Sequence, residues 1–431
     1  MITVLLFLGI FAFFIILNFP IIYAIIATSW IILKFGAIQI PISLIGQKLI
    51  GGINSFPLLA VPFFMLAANI MTSTSILRRL VDFVTSLIGF VRSGLAIVNV
   101  LVSMICAGMS GSATADTAGA SAMIMNAMIE EGYDRPFSVA VTGASSTIGI
   151  IIPPSIPLII YAWVANTSVS ALFLAGIIPG ILIGVAQILL CIYKGKVRNY
   201  PKHPRVPFRQ IIKNTYKAIP VLILPIIILG GIFSGIFTAT EAAVVAVFYA
   251  LALGLYLREL TVKKLFDCLV TTGVTSAISL LLIGAATPLS WILALNHVPG
   301  LIANWFLSVT SNPTIFLLLV VAFMLAIGCV MDNDPVIMLT TPIFLPVATK
   351  LGISPILYGT IVNLALAIGI VTPPVGCALF VACAVGKTTI SEVIGEFVPF
   401  YLVMTVVLLL LVFFPQIVLY LPAKFMPLSV P

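Results

Sequence analysis

Long apolar runs joined by very short polar connections make up almost the whole chain. Residues 401–414, for example, are apolar at nearly every position rather than at every second position. A membrane-spanning strand would alternate, whereas a spanning helix needs about 20 mostly apolar residues. The pattern therefore predicts an all-α polytopic membrane protein. At this helix length the chain would cross the bilayer about a dozen times, with some segments dipping in and returning.

The same order of elements occurs twice along the chain. Each half has long apolar spans, a Gly-rich polar interruption, an apolar stretch, a short loop and a span broken by two prolines. Segments 148–154 (IGIIIPP) and 368–374 (IGIVTPP) match at a spacing of 220 residues, and Gly108 and Gly328 correspond at the same spacing. This pattern predicts an internal duplication with two structural repeats.

The boundaries of the predicted units follow from the breaks and the connections. The basic segment between the halves is a connector, and each half contains a re-entrant hairpin followed by a broken helix. The predicted units are a first half at 1–193 with a hairpin at about 104–128 and a broken helix at about 137–166, a connector at 194–217, and a second half at 218–431 with a hairpin at about 324–349 and a broken helix at about 354–386.

The paired breaks predict a binding site at mid-membrane depth. Proline removes a backbone donor and disfavours helix just before it. Non-helical backbone is not tolerated against lipid, so it has to line protein or a water-filled cavity. Freed carbonyl groups there coordinate cations, and the N-termini of half-helices attract anions. The alternative is that the prolines only kink two spans, which would leave the matched positions of the two breaks unexplained.

Composition supports the membrane assignment. The 431 residues are 62% hydrophobic and 7% charged, whereas soluble domains contain about 25% charged residues. The connections are too short to hold a sizeable soluble domain. The six cysteines lack metal-ligand spacing and are interpreted as buried free thiols.

Positive charge is concentrated in the connector. Residues 194–217 hold eight of the 20 Lys and Arg residues and no acid. Short basic loops between spans mark the cytoplasmic side of a membrane protein, and they also contact anionic headgroups. This interpretation is preferred to nucleic-acid binding, and it predicts a cytoplasmic connector.

Four acids lie inside apolar segments, where ionisable side chains are costly and are usually functional. Asp116, Asp332 and Asp334 lie on the two hairpins, so we expect them near ion or substrate sites. Their structural alternative is helix capping, for which Asp is favoured. Glu241 has the capping-box spacing to Thr238, and for this residue the structural role is preferred.

Sodium is the expected coupling ion. A hard monovalent cation binds several neutral oxygens, which freed carbonyl groups and nearby hydroxyl groups supply. Proton coupling would more often show a buried relay of carboxylates or histidines. His203 lies in the connector and His297 at an expected span end, although Asp116 and Asp332 could titrate. The hydroxyl residues near the breaks are Ser110, Ser112, Ser145, Ser146, Thr147 and Thr372.

One short motif suggests an enzyme instead. Residues 108–111 (GMSG) fit the Gly-x-Ser-Gly pattern of rhomboid intramembrane proteases, which pair a serine with a histidine. Ser110 would be the nucleophile and His297 the base. Four positions with one wildcard are weak evidence in a chain rich in Gly and Ser, and a protease would leave the duplication unexplained. No enzymatic activity is therefore predicted.

Several longer motifs give the chain a family resemblance over essentially its whole length. It resembles the large membrane (permease) subunit of tripartite ATP-independent periplasmic (TRAP) transporters, the DctM-like proteins of the ion transporter superfamily. The motifs are SGS at 110–112, EGYD at 131–134, IIIPPS at 150–155, AGIIPG at 175–180, GIFTATEAA at 235–243 and IVTPPVG at 370–376.

The resemblance implies a specific kind of importer. Such subunits pair with a small four-span membrane subunit, receive substrate from a periplasmic substrate-binding protein, and import organic acids of the sialic acid or C4-dicarboxylate type. They use a sodium gradient and no cofactor, and they reside in the inner (cytoplasmic) membrane of bacteria or archaea. The resemblance also implies inverted repeats and an elevator mechanism, in which a transport domain moves past a scaffold. A stand-alone ion-coupled carboxylate carrier of the same superfamily is the alternative.

The resemblance also implies site residues, transferred by position. The first sodium site would involve Ser110, Gly111, Ser112, Gly149, Ile152 and Pro153. The second would involve Gly328, Asp332, Gly369 and Thr372. The substrate would lie between the two, with contacts from Ser145, Thr147, Asp116 and Asn363.

Overall fold

The architecture comes from a computed structural model, which describes residues 9–11, 13, 14, 17, 19–35, 41–202 and 204–427. His203 of the connector lies outside the described residues. Within them the regular structure is helical throughout and contains no strand. The predicted all-α fold is therefore confirmed, whereas the internal duplication stays a prediction.

The structure gives bounds for ten helices between residues 21 and 197. Two of the connections between them contain 3₁₀ turns, at Phe56–Leu59 and Thr147–Ile150. The helices are α1 (Ile21–Phe35), α2 (Ser43–Ile53), α3 (Ala60–Thr72), α4 (Ile76–Ile88), α5 (Gly94–Ser110), α6 (Ala113–Ala118), α7 (Ala120–Glu130), α8 (Arg135–Ser146), α9 (Ile156–Val164) and α10 (Val169–Val197).

It gives bounds for another ten helices between residues 208 and 425. They are α11 (Phe208–Phe233), α12 (Ala239–Tyr256), α13 (Val262–Leu295), α14 (Val298–Val309), α15 (Pro313–Gly328), α16 (Asn333–Lys350), α17 (Pro355–Gly369), α18 (Cys377–Gly386), α19 (Ile390–Phe413) and α20 (Pro415–Phe425). Helix α12 begins with the predicted capping box: Thr238 Oγ1 accepts from the Glu241 N–H, and the Glu241 carboxylate accepts from the Thr238 N–H.

The described helices differ in their ability to cross a bilayer. By length and composition, α10, α11, α12, α13 and α19 are long and apolar enough to span one. Helix α2 and the segment Phe56–Thr72 form a sixth candidate span, bent by 63°. Helices α5, α15, α17 and α18 are apolar but have only 10 to 17 residues. These short helices flank the glycine and proline breaks, where the backbone turns instead of continuing across.

The helices pack in two groups. In one group α13 packs against α2 and α3, α12 against α3, and α4 against α11. In the other, α8 packs against α18 and α19, α15 against α17, and α10 against α19 and α5. Helix α16 joins the groups because it contacts both α13 and α17. The second group contains both breaks and both hairpins, so the candidate site lies where the two groups meet.

The cysteines are free thiols, as the sequence predicts. All six are unpaired, and four of them are buried. Among the described residues no group of three or more His, Cys, Asp or Glu side chains is arranged to hold a metal ion.

Candidate functional site

The first hairpin tip, residues 108–116, is a tight turn between α5 and α6. Helix α5 ends at Ser110, and Gly111 adopts φ of 61°, a conformation that favours glycine. A Cβ on Gly111 would also lie only 2.7 Å from the carbonyl oxygen of Pro154. Ser112 then caps α6, since its Oγ accepts from the Ala115 N–H at 3.5 Å. Gly111 therefore lets the tip lie directly against the proline break.

A side-chain pair closes this tip. Ser110 Oγ donates to Asp116 Oδ1 at 2.6 Å, and Asp116 is only 4% exposed. Asp116 Oδ2 has no hydrogen-bond partner among the described residues and lies in the space that a side chain on Gly149 would need. Capping of α6 is carried by Ser112, so the structural alternative for Asp116 does not apply. The carboxylate instead links the tip to the first break, residues 147–155.

The second hairpin tip, residues 328–334, contacts its break through the backbone. A Cβ on Gly369 would lie 2.7 Å from Gly328 Cα, so only glycine fits this helix crossing. The carbonyl group of Cys329 accepts from the N–H groups of Val375 at 3.1 Å and Gly376 at 3.2 Å. These bonds tie the tip to the second break, residues 370–376. The backbone donors that the break frees are thus satisfied by the hairpin, as burial demands.

Polar side chains at the start of α16 face a cavity. Asp332 caps this helix, with Oδ1 accepting from the Asn333 N–H at 2.8 Å. Asp332 therefore caps the helix, as the structural alternative predicted. Its side chain is also exposed to the cavity. Asn333 is 2% exposed, and neither Oδ1 nor Nδ2 has a hydrogen-bond partner among the described residues. A buried amide without partners is costly, which suggests that a ligand or water completes it.

The two tips enclose this cavity, which we call the tip cavity. Its volume is about 460 Å³. The lining residues that the structure describes include no Lys, Arg or His, but they do include Asp332 and Asp334. Its polar lining comes from both helix groups: Ser110, Ser112, Thr114, Asp332, Asn333 and Asp334 at the tips, and Asn69, Thr275 and Ser279 on α3 and α13.

The predicted sodium residues divide into two sets. Four line the tip cavity: Ser110, Gly111, Ser112 and Asp332. The other six lie in the packing around it: Gly149, Ile152, Pro153, Gly328, Gly369 and Thr372. Within this second set, Thr372 Oγ1 donates to the Ile368 carbonyl oxygen at 2.7 Å, and Ile152 packs against Gly180.

Three of the predicted substrate residues lie outside the lining of the tip cavity. Ser145 Oγ donates to the Thr142 carbonyl oxygen at 3.2 Å, and Thr147 Oγ1 donates to the Ala144 carbonyl oxygen at 2.7 Å. Neither these residues nor Asn363 are among those that line the tip cavity. Their roles in substrate binding stay predictions.

Asn363 connects the two halves of the site instead. Its Nδ2 donates to the carbonyl oxygen of Ile150 at 2.7 Å, across 213 residues of sequence. Asn363 therefore satisfies one of the carbonyl groups in the first break and fixes α17 beside it.

Asp116, the fourth predicted substrate residue, lines a neighbouring cavity rather than the tip cavity.

Five polar lining residues were not among the predicted site residues: Asn69, Thr114, Thr275, Ser279 and Asn333. Thr275 and Ser279 are four residues apart in the apolar helix α13, so they share one face. That spacing was a usable signal. Asn69, Thr114 and Asn333 had no comparable signal.

The protease alternative finds no support in this geometry. The hydroxyl group of Ser110 donates to Asp116 rather than to a histidine. His297 is exposed at the start of α14 and does not line the tip cavity.

Broken helices around a polar cavity between packed helix groups are typical of secondary transporters. One solved structure shares this fold. The solved structure of the YdaH transporter of Alcanivorax borkumensis superposes with a TM-score of 0.64 over 86% of this chain and 87% of that one, at 15% identity. At this identity the likeness shows the fold alone.

Sequence comparisons identify the family. The model of the tripartite ATP-independent periplasmic transporter, DctM component, matches residues 8–417. The sialic acid TRAP transporter large permease protein SiaM of Vibrio cholerae is 39% identical, covering 89% of this chain and 90% of that protein. The C4-dicarboxylate TRAP transporter large permease protein DctM of Pseudomonas aeruginosa is 36% identical, covering 87% and 88%. The chain belongs to the DctM family of TRAP transporter large permeases; it is a multi-pass membrane transport protein and not an enzyme.

Proposed function

We propose that this chain is the permease subunit of a sodium-coupled importer of organic acids in a bacterial or archaeal inner membrane. The observation that carries the proposal is the charge of the tip cavity. Two carboxylates and several neutral oxygens line it, and its described lining has no cationic side chain. An anion transferred into such a site meets no positively charged side chain, and burying an unpaired charge is unfavourable unless cations accompany it.

Sodium ions at the hairpin tips would provide that positive charge. Ser110, Ser112 and Asp332 present hydroxyl and carboxylate oxygens to the cavity, and these are the ligands that hard cations prefer. The helix N-terminus of α16 adds partial positive charge beside the substrate. Transport of the acid would thus depend on sodium because the site is incomplete without it.

The substrate is proposed to be an organic acid of the type named for the relatives, sialic acid or a C4-dicarboxylate. Asn333, Asn69, Thr275 and Ser279 offer hydrogen bonds to carboxylate and hydroxyl groups of such an acid. The partners proposed from the family are a small four-span membrane subunit and a periplasmic substrate-binding protein. The helix group with both hairpins would move as the transport domain of an elevator, past the group formed around α3 and α13.

Reconstitution tests this proposal. The chain and its small subunit are placed in proteoliposomes with the binding protein outside, and uptake of radiolabelled N-acetylneuraminate and succinate is measured. We expect uptake of one acid under an inward sodium gradient and little uptake when potassium replaces sodium. Uptake driven equally by a proton gradient in sodium-free buffer would contradict sodium coupling. Rapid sodium-driven uptake by the chain alone would instead support the stand-alone carrier.

A further inference from the structure

A second cavity adjoins the tip cavity. It has a volume of about 610 Å³ and lies between helices α3 and α4 on one side and the first hairpin on the other. We call it the side cavity. Five residues line both cavities, so the two spaces are neighbours: Ala68, Asn69, Ser110, Ala115 and Ala118.

Arg78 gives the side cavity a charge that the tip cavity lacks. Among the described lining residues of both cavities, Arg78 is the one cationic side chain. The adjacent Arg79 is engaged, since its Nη2 lies 3.4 Å from Glu259 Oε1. Arg78 is exposed, and the structure gives it no ion pair within the described residues. Asp116 also borders the side cavity, but it is buried and accepts a hydrogen bond from Ser110.

Helix α4 lies along the connector side of the molecule. Near its start, Arg79 pairs with Glu259 in the α12–α13 loop, and beyond its end the Phe90 ring lies 5.3 Å from the Arg205 guanidinium of the connector. Helices α11 and α12 are consecutive spans, so the α12–α13 loop and the connector lie on the same side. The side cavity therefore lies between the tip cavity and the side that the positive-inside rule assigns to the cytoplasm.

We propose that Arg78 binds the carboxylate of the transported acid in the side cavity, as a release site on the cytoplasmic side. This inference rests on the proposed function. When sodium ions leave the tips, the described lining of the tip cavity offers the anion no positively charged group. A guanidinium group in the adjoining space receives it, because its planar donors match a carboxylate in two parallel hydrogen bonds. The same guanidinium could bind a lipid phosphate, and the experiment has to separate these two anions.

Chemical modification of arginine tests the binding directly. The purified permease complex in lipid-free detergent is treated with phenylglyoxal, and modified sites are mapped by mass spectrometry. We expect the potassium salt of N-acetylneuraminate or succinate in sodium-free buffer to lower modification of Arg78 about tenfold at saturation and to leave Arg79 unchanged, with potassium chloride as control. Equal protection of both arginines, or protection of neither, would overturn the proposal. Protection that appears only in phosphatidylglycerol vesicles, without added acid, would assign the site to lipid and also overturn it.

Transport by charge variants gives an independent readout. Arg78→Gln in the reconstituted complex should raise the half-saturating concentration of the acid in sodium-dependent exchange about tenfold, since one charged hydrogen-bonding partner is lost. Arg78→Lys should restore most of this loss, which a merely structural role would not predict. Arg79→Gln is the matched control and should behave as the wild type does. If the wild type exchanges the acid and Arg78→Gln does so with the same kinetics, the release site is refuted and the proposed function stands. If the wild type itself does not transport the acid, the proposed function is refuted.

Discussion

The two hairpin tips reach their breaks by different physical means. The first adds a side-chain pair to the close backbone contact of Gly111: Ser110 donates to the buried carboxylate of Asp116, which lies against Gly149. The second is held by backbone contact, with Gly328 and Gly369 crossing too closely for any side chain.

The two tips should therefore be sensitive to different kinds of mutation. A side-chain pair depends on charge and hydrogen bonding, whereas a glycine crossing depends on volume. Because backbone holds the second tip, Asp332 and Asn333 remain free to face the tip cavity. At the first tip Asp116 is already committed to Ser110, and the cavity receives hydroxyl groups instead. The two tips thus offer different ligands to the same space.

The largest expected effect comes from adding volume to the second tip. Gly369→Ala would place a Cβ 2.7 Å from Gly328 Cα. Neither side can yield, because both are backbone, so we expect the free energy of unfolding to fall by about 3 kcal/mol and transport to be lost. Thermal unfolding of the purified complex measures this. Gly230→Ala is the control, since a Cβ there meets nothing within 4 Å; equal stability of the two variants would contradict the close crossing.

A smaller effect is expected from breaking the side-chain pair of the first tip. Ser110→Ala leaves the buried Asp116 carboxylate without its partner, and we expect a loss of about 2 kcal/mol in the free energy of unfolding. Asp116→Ala, which removes the acceptor, should cost at least as much. The double variant should cost clearly less than the sum, because both changes remove the same interaction. Effects that add to within about 0.5 kcal/mol would show that the two residues act independently.

Asp332→Asn removes charge from the second tip without removing the helix cap, because Asn caps as well as Asp. We expect expression and thermal stability to be kept, and the half-saturating sodium concentration for uptake to rise about tenfold as a charged ligand is lost. Asp267→Asn, at an exposed position on α13, is the matched control. A sodium dependence equal to that of the control would count against Asp332 as a sodium ligand.

The smallest effect is expected at Ser112. Its hydroxyl group is a neutral ligand, and the cap bond to Ala115 is long at 3.5 Å. Ser112→Ala should therefore cost about 0.5 kcal/mol in stability and raise the half-saturating sodium concentration about twofold. Sodium titration of uptake beside Asp332→Asn measures both tips in one assay. If both variants kept wild-type sodium activation, the assignment of the sodium sites to the tips would be wrong.

Some of the site could be predicted because its signals are local. Pro153 and Pro373 lack backbone donors wherever they are placed, and Gly111 allows a turn that other residues resist. The chemistry of these residues alone is enough to locate a break in a helix. The capping box at Thr238 and Glu241 was predictable for the same reason, since its partners are three residues apart.

Other parts depend on partners that are distant in sequence. Asn363 was predicted as a substrate contact, but its amide donates to Ile150, which is 213 residues away. Asn69 borders the tip cavity and donates to Thr272, 203 residues away. No local pattern distinguishes an amide that bonds to protein from one that faces a cavity, because the choice depends on which helix packs beside it.

An all-α membrane protein, two broken segments and the family can be recognised from the amino-acid sequence. These properties depend on hydrophobicity, backbone donors and ordered motifs, which are carried by each segment alone. Helix packing is needed to show that both tips border one cavity, that Asp116 is used inside the first tip, and that Arg78 lies in the space beside it. Those facts depend on helix packing, which sets the distances between segments that the sequence leaves far apart.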